Sequence, residues 1–201
     1  MSRYVIGITG ASGSIYGIRL IEELLSRNCE VLLTITDAGR QVIQHEVGWE
    51  LGSDPTTIEL NFKKHLKVKT ATDRLHYFDV HNVGASIASG SVLTNGMIIV
   101  PCTMSAVSAI ANGSSSDLLE RAADVILKEG RQLIIVPREA PLSQIHLRNL
   151  LTLSQMGVHI VPPVTAFYFK PQSIEELVNY IVGRILDLLG IEHKLLHRWQ
   201  G

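Results

Sequence analysis

The chain has little of what several protein classes require. Of its 201 residues only Cys29 and Cys102 are cysteine, and no CxxC occurs, which is too few for a disulfide framework or a Cys-rich zinc site. Neither sign of charge dominates: 18 Lys plus Arg against 19 Asp plus Glu leave a formal net charge of -1. There is no global basic field to gather nucleic acid, and an anionic ligand must be held by a local cluster. A run of about 18 apolar residues, as a membrane-spanning helix needs, is absent. The opening MSRYVIGITG lacks the basic region and long apolar core of a secretory signal. The expectation is a cytoplasmic protein with no membrane span and no nucleic-acid partner. Aromatic residues make up 5% and prolines number 7, yet 46% of residues are hydrophobic and 18% charged, which excludes a disordered or collagen-like chain. The length predicts a single domain over residues 1–201, and no internal repeat or linker divides it.

What is present is an alternation. YVIGIT (4–9), VLLTIT (31–36), GMIIVP (96–101), QLIIVP (132–137) and HIVPP (159–163) are short continuous apolar runs of the kind buried on both faces of a parallel sheet. Between them Ile15, Ile18, Ile21, Leu24 and Leu25 recur at helical spacing, as do Leu118, Leu119, Ala122, Val125 and Ile126, then Leu177, Ile181, Ile185 and Leu188. The fold class predicted is α/β: a doubly wound, Rossmann-like or flavodoxin-like parallel sheet with helices on both faces, binding ligands beyond the carboxyl ends of its strands. Residues 52–75, with Lys63, Lys64, Lys67 and Lys69, break the rhythm and read as a solvated excursion.

The strand ends carry the polar chemistry. Thr9-Gly10-Ala11-Ser12-Gly13-Ser14-Ile15-Tyr16-Gly17 follows a strand and opens a helix, where free backbone N–H groups and the helix dipole favour a phosphate; a tight turn without a ligand is the alternative. The glycine spacing is not GxGxxG, so the dinucleotide fingerprint is missing although Asp37 follows the second strand. Pro101-Cys102-Thr103-Met104-Ser105 leads into the small residues Ala106, Ser108, Ala109 and Ala111, which leave room for a flat ring or serve close helix-to-sheet packing. Cys102 reads as a small buried hydrophobe. Pro137-Arg138-Glu139-Ala140-Pro141 traps two opposite charges between prolines, which core packing does not explain. Arg121 and Lys128 lie seven apart on a helix and can face one way, and Arg184 on an aliphatic stripe calls for an anion or a carboxylate. His193 and His197 are spaced for a shared metal but have no third ligand, so a surface pair is expected. Ser173 with Glu175 and Glu176 is a helix cap.

Taken in order, TGASGSIYG, PCTMS, ERAADVILKE, VPREAP, IHLRNLL, FYFKPQS and HRWQ resemble the UbiX-type flavin prenyltransferases, with motifs reaching from residue 9 to residue 200 and none over 52–75. The resemblance implies transfer of a dimethylallyl group from dimethylallyl monophosphate to N5 and C6 of reduced FMN. A fourth ring forms, phosphate leaves, and the product, prenylated FMN, is the cofactor of a partner UbiD-type decarboxylase. It implies FMN contacts from Gly10, Ala11, Ser12, Thr36, Cys102, Thr103, Met104, Ser105 and Arg138. Tyr168 and Arg184 match positions that bind the prenyl phosphate, with Arg121, Lys128 and Glu139 around it and Trp199, in a tail spanning residues 191–201, closing the site. Ser12, Glu46, Lys128 and Glu139 are the implied catalytic residues, no metal is required, and a homo-oligomer, dodecameric in the family, is implied. Val83, Ser105 and Gly130 depart from residues found elsewhere in the family, so the choice between monophosphate and diphosphate stays open. An FMN-dependent cysteine-peptide decarboxylase of the same superfamily, a passive FMN carrier and an NAD-dependent oxidoreductase are the alternatives. The first lacks its PxMNxxMW-like segment, the second has no use for the Arg121, Lys128, Glu139 and Arg184 set, and the third lacks its glycine spacing.

Overall fold

The computed structural model describes residues 1–68 and 72–196. Six strands, β1 (Arg3–Ile8), β2 (Glu30–Ile35), β3 (Leu75–Asp79), β4 (Gly96–Cys102), β5 (Gln132–Pro137) and β6 (His159–Ile160), form one parallel sheet in the order β3-β2-β1-β4-β5-β6. This is the doubly wound arrangement expected: the chain winds one way through β1, β2 and β3, then returns past β1 to lay down β4, β5 and β6 on the other side. The reversal leaves a crevice between the carboxyl ends of β1 and β4.

Among the described residues seven helices cover the two faces: α1 (Ser14–Ser26), α2 (Asp37–Val47), α3 (Pro55–His65), α4 (Met104–Ala111), α5 (Leu118–Lys128), α6 (Gln144–Gln155) and α7 (Ile174–Leu188). Alternate residues of each central strand serve opposite layers. Ile6 and Ile8 pack with Leu20, Leu24, Phe62, Val182 and Ile185, whereas Val5, Met97 and Ile99 pack with Val107, Leu119, Ala122 and Leu153. Helices α1, α2, α3 and α7 therefore lie on one face and α4, α5 and α6 on the other.

The structure corrects the reading of residues 52–75. Asp54 accepts the Thr57 N–H at 3.0 Å, Pro55 opens α3, and Ile58 and Phe62, one turn apart, are fully buried. Of the lysines that suggested a solvated stretch, Lys64 and Lys67 are exposed, while Lys63 is partly buried and pairs with Glu59 at 2.6 Å. Strand β3 was also not expected: Leu75 and Tyr77 are buried but His76 is exposed, so an edge strand with one polar face carries no continuous apolar run. At the other edge, β6 is two residues long with His159 exposed, not a strand buried on both faces, because Pro162 and Pro163 cannot extend the ladder. The surface reading of His193 also fails: its imidazole is shielded from solvent and meets Asp187 Oδ1 at 3.1 Å. His197, like Lys69, lies outside the described residues.

Candidate active site

The three loops at the centre of the sheet are tied together by backbone and by one hydroxyl. Thr9, directly after β1 and 2% exposed, donates through Oγ1 to the Pro101 carbonyl at 2.8 Å. The same oxygen accepts the Thr103 N–H at 2.9 Å. The Arg138 N–H then donates to the Cys102 carbonyl at 3.2 Å, adding the end of β5. The Gly10–Ser12 loop, the Cys102–Ser105 turn and Arg138 are thereby held in one register.

Helix α1 begins without a side-chain cap, at Gly13 with φ 107, a left-handed conformation that suits glycine. Its free N–H groups and positive dipole end call for an anion. The sequence pointed to a phosphate here; the structure fills the place with the Glu46 carboxylate from the last turns of α2. Glu46 accepts from Ser12 Oγ at 2.6 Å, Gly13 N at 3.0 Å, Ser14 N at 2.9 Å and Ser14 Oγ at 2.7 Å. Partial burial works against its charge, but these bonds outweigh it and hold the carboxyl below its ordinary range. Two anions do not share one helix end, so a phosphate must find its cations elsewhere.

Beside this pair opens a cleft of about 360 Å³, lined by Ser12, Tyr16, Glu46 and Arg138 with Ile15 and Val178 among its apolar walls. The Arg138 guanidinium makes no ion pair or side-chain hydrogen bond among the described residues. Apolar walls and a free cation fit a flat, acceptor-bearing ring such as a flavin. Of the other expected contacts, Gly10 lies against α2, where a Cβ would come 2.5 Å from that of Ala38. Ala11 is buried beside it. Thr36 caps α2 by accepting the Gly39 N–H at 3.0 Å, and Thr103 caps α4 by accepting that of Ala106 at 3.2 Å. Met104 is buried and Ser105 exposed in the first turn of α4. Cys102 is wholly buried in the core, which pushes its thiol up to about 12; its side chain is inert packing, and its carbonyl accepts the Arg138 N–H.

The remaining expected residues are not in this cleft. Arg184 lines a neighbouring groove of about 350 Å³ with His159, Val164 and Tyr180 and pairs with Asp187 at 3.3 Å. Tyr168, half exposed, stands edge-on to Tyr180 at 6.5 Å between ring centres. Glu139 is exposed just beyond β5 and accepts the Ala140 N–H at 3.1 Å. Arg121, paired with Asp124 at 2.9 Å, and Lys128, 3.6 Å from Glu129, sit on α5, across the sheet from α1 and α7. Lys128 is in the last turn of α5, at the end of the sheet where β5 begins. Trp199 lies outside the described residues, as does the tail from residue 197. Thr9 and Tyr16 were not singled out from the sequence, although both stand inside the TGASGSIYG motif. Among the described residues no group of three His, Cys, Asp or Glu side chains converges as a metal site would. No helix there is long and apolar enough to cross a membrane.

With this geometry in view, comparison with known proteins gives a consistent result. A family model described as Flavoprotein matches residues 1–186. The flavin prenyltransferase UbiX of Halalkalibacterium halodurans is 46% identical over 196 residues, 98% of this chain and 92% of that protein. The crystal structure of AnUbiX (PadA1) in complex with FMN and dimethylallyl pyrophosphate superposes with a TM-score of 0.86 at 37% identity, covering 100% of this chain and 98% of that one. The dodecameric FMN-dependent UbiX-like decarboxylase from Escherichia coli O157:H7 gives a TM-score of 0.85 at 38% identity, covering 99% and 100%. The chain belongs to the flavoprotein family and, within it, to the UbiX-type flavin prenyltransferases.

Proposed function

We propose that this protein transfers a dimethylallyl group from dimethylallyl monophosphate to N5 and C6 of reduced FMN, releasing inorganic phosphate and prenylated FMN. The observation that carries the reading is the convergence of Ser12, Glu46 and Arg138 on one cleft at the crevice between β1 and β4. Reduced FMN supplies the two nucleophilic atoms; the residues of the chain hold the reactants and manage charge and protons. Gly10, Ala11, Thr36 and the Cys102–Ser105 turn offer close backbone approach to the flavin, and Arg138 offers it a cation. Ser12, already bonded to Glu46, forms a two-group path along which a proton moves to or from the acceptor. As the carbon–oxygen bond of the prenyl phosphate breaks and the carbon–nitrogen bond forms, negative charge grows on the leaving phosphate. Fixed cations must meet that charge. Arg184, with Tyr168 beside its groove, serves that end in our reading, and the aromatic faces of Tyr168 and Trp199 ease positive character on the five-carbon unit.

Arg121 and Lys128 lie on the far face of the sheet from Arg184, so we assign them to the site of a neighbouring copy. Apolar exposure supports association: Leu142 is 42%, Ile145 66%, Leu147 52% and Leu151 57% exposed along α6 and its approach. We extend to this chain the dodecamer of the E. coli neighbour, a cytoplasmic location, and a UbiD-type decarboxylase as recipient of the product.

Anaerobic incubation of the purified protein with reduced FMN and dimethylallyl monophosphate, followed by mass spectrometry of the released flavin, tests this. A flavin heavier by one five-carbon prenyl unit is the expected result. FMN bound but unchanged, with the diphosphate tried as well, overturns it.

A further inference from the structure

The donors at the mouth of α1 are already spent. Ser12 Oγ, the Gly13 and Ser14 N–H groups and Ser14 Oγ all point into the Glu46 carboxylate. An acceptor-rich ring entering the cleft therefore meets none of them free. Two side-chain donors line the same cleft and have no acceptor among the described residues: the Arg138 guanidinium and the Tyr16 phenol.

Tyr16 is held in a defined direction. Its N–H donates to the Gly13 carbonyl at 3.0 Å. Its ring lies so close over Gly13 that a Cβ there would come 2.9 Å from ring carbons Cδ2 and Cε2. The ring also packs on the core layer of α1 and α7, so turn, ring and core fix where the hydroxyl can be. A polar group pinned at a cleft wall with no protein partner is pre-organised for a ligand, since leaving it unpaired once the cleft is filled is costly.

We propose that Tyr16 is a further flavin-binding residue of this site, its phenol O–H donating to an oxygen of the flavin nucleotide beside the Arg138 guanidinium. The proposal rests on the prenyltransferase reading. Its electrostatic surroundings agree with a donor role: burial pushes the phenol above its ordinary value, the Arg138 charge pulls it down and the Glu46 charge pushes it up again, so the proton stays on the oxygen throughout the neutral range.

The test is fluorescence titration of FMN into the full chain and its Tyr16→Phe and Tyr16→Leu variants, with the absorption spectrum of the bound flavin and the melting temperature of the flavin-free protein recorded for each. Removing the hydroxyl alone should leave the melting temperature of the Tyr16→Phe protein unchanged, raise the FMN dissociation constant about three- to tenfold and shift the flavin absorption band, as loss of one hydrogen bond does. Unchanged affinity and spectrum in Tyr16→Phe overturn the proposal. So does loss of binding confined to Tyr16→Leu, which would reduce Tyr16 to packing under Gly13. Failure of the unsubstituted protein to bind FMN would overturn the prenyltransferase reading itself, and this proposal with it.

Discussion

Thr9 and Thr103, at the ends of β1 and β4, are joined through a single hydroxyl: Thr9 Oγ1 accepts the Thr103 N–H at 2.9 Å while donating to the Pro101 carbonyl at 2.8 Å. Buried as it is, this oxygen sets the spacing of the two loops on either side of the crevice. Thr9→Val keeps the shape and removes both bonds, leaving the half-buried Thr103 N–H without its acceptor. The expected cost is about 1–3 kcal/mol, read from the urea midpoint, together with weaker FMN binding. Thr9→Ser should restore both, and equal behaviour of the two variants would count against the role.

The Glu46 carboxyl is held below its ordinary value by Ser12, Ser14 and the two N–H groups, against the opposing effect of burial. The unfolded chain then binds more protons than the folded one as pH falls through the carboxylate range, so stability rises with pH there. This contribution is fully present above the unfolded value, about 4.3, and is lost as pH falls through the lower folded value. Glu46→Gln should flatten that acid limb in a series of urea midpoints taken from neutral to acid pH. An unchanged slope would mean that the carboxylate is not held as described.

Lys128→Ala should keep a yellow FMN complex and lose turnover, and Glu139→Ala should do the same. If Lys128 serves a neighbouring copy, its variant and Ser12→Ala should complement each other when co-assembled. Random mixing of equal amounts leaves about a quarter of the sites with both residues intact. Activity near that level supports shared sites; none at all argues that both residues act within one chain.

Arg184 is about half exposed in its pair with Asp187, so Arg184→Ala should cost at most about 1 kcal/mol of stability. Its expected effect is on KM for the prenyl phosphate, raised well before FMN affinity changes. Steady-state kinetics with the two ligands varied separately distinguishes the two.

Phe62 is fully buried on α3, whereas Lys63 beside it is only partly covered and pairs with Glu59. Phe62→Ala should cost about 3–5 kcal/mol by leaving a cavity, and Lys63→Ala less than about 1 kcal/mol. Similar small effects at both positions would return this segment to a solvated loop.

Residues 4–9, 31–36, 96–101 and 132–137 declare their strands because a parallel sheet covered on both faces demands unbroken apolar runs, and that local signal also places the polar loops that follow them. Arg138 could be picked out because a charge between two prolines at a strand end has no packing explanation. Strand β3 and helix α3 escaped for the converse reason: an edge strand shows one polar face, and two buried residues on an amphipathic helix do not outweigh its lysines. Tertiary structure alone decided that Glu46, more than thirty residues along the chain, neutralises the α1 terminus, and that Thr9 bridges to Thr103 across the crevice. It also decided that Arg121 and Lys128 face away from Arg184. Periodicity along a chain reports which face of an element is buried; which distant group meets a given hydrogen-bond donor depends on the winding of the sheet, and no local pattern encodes it.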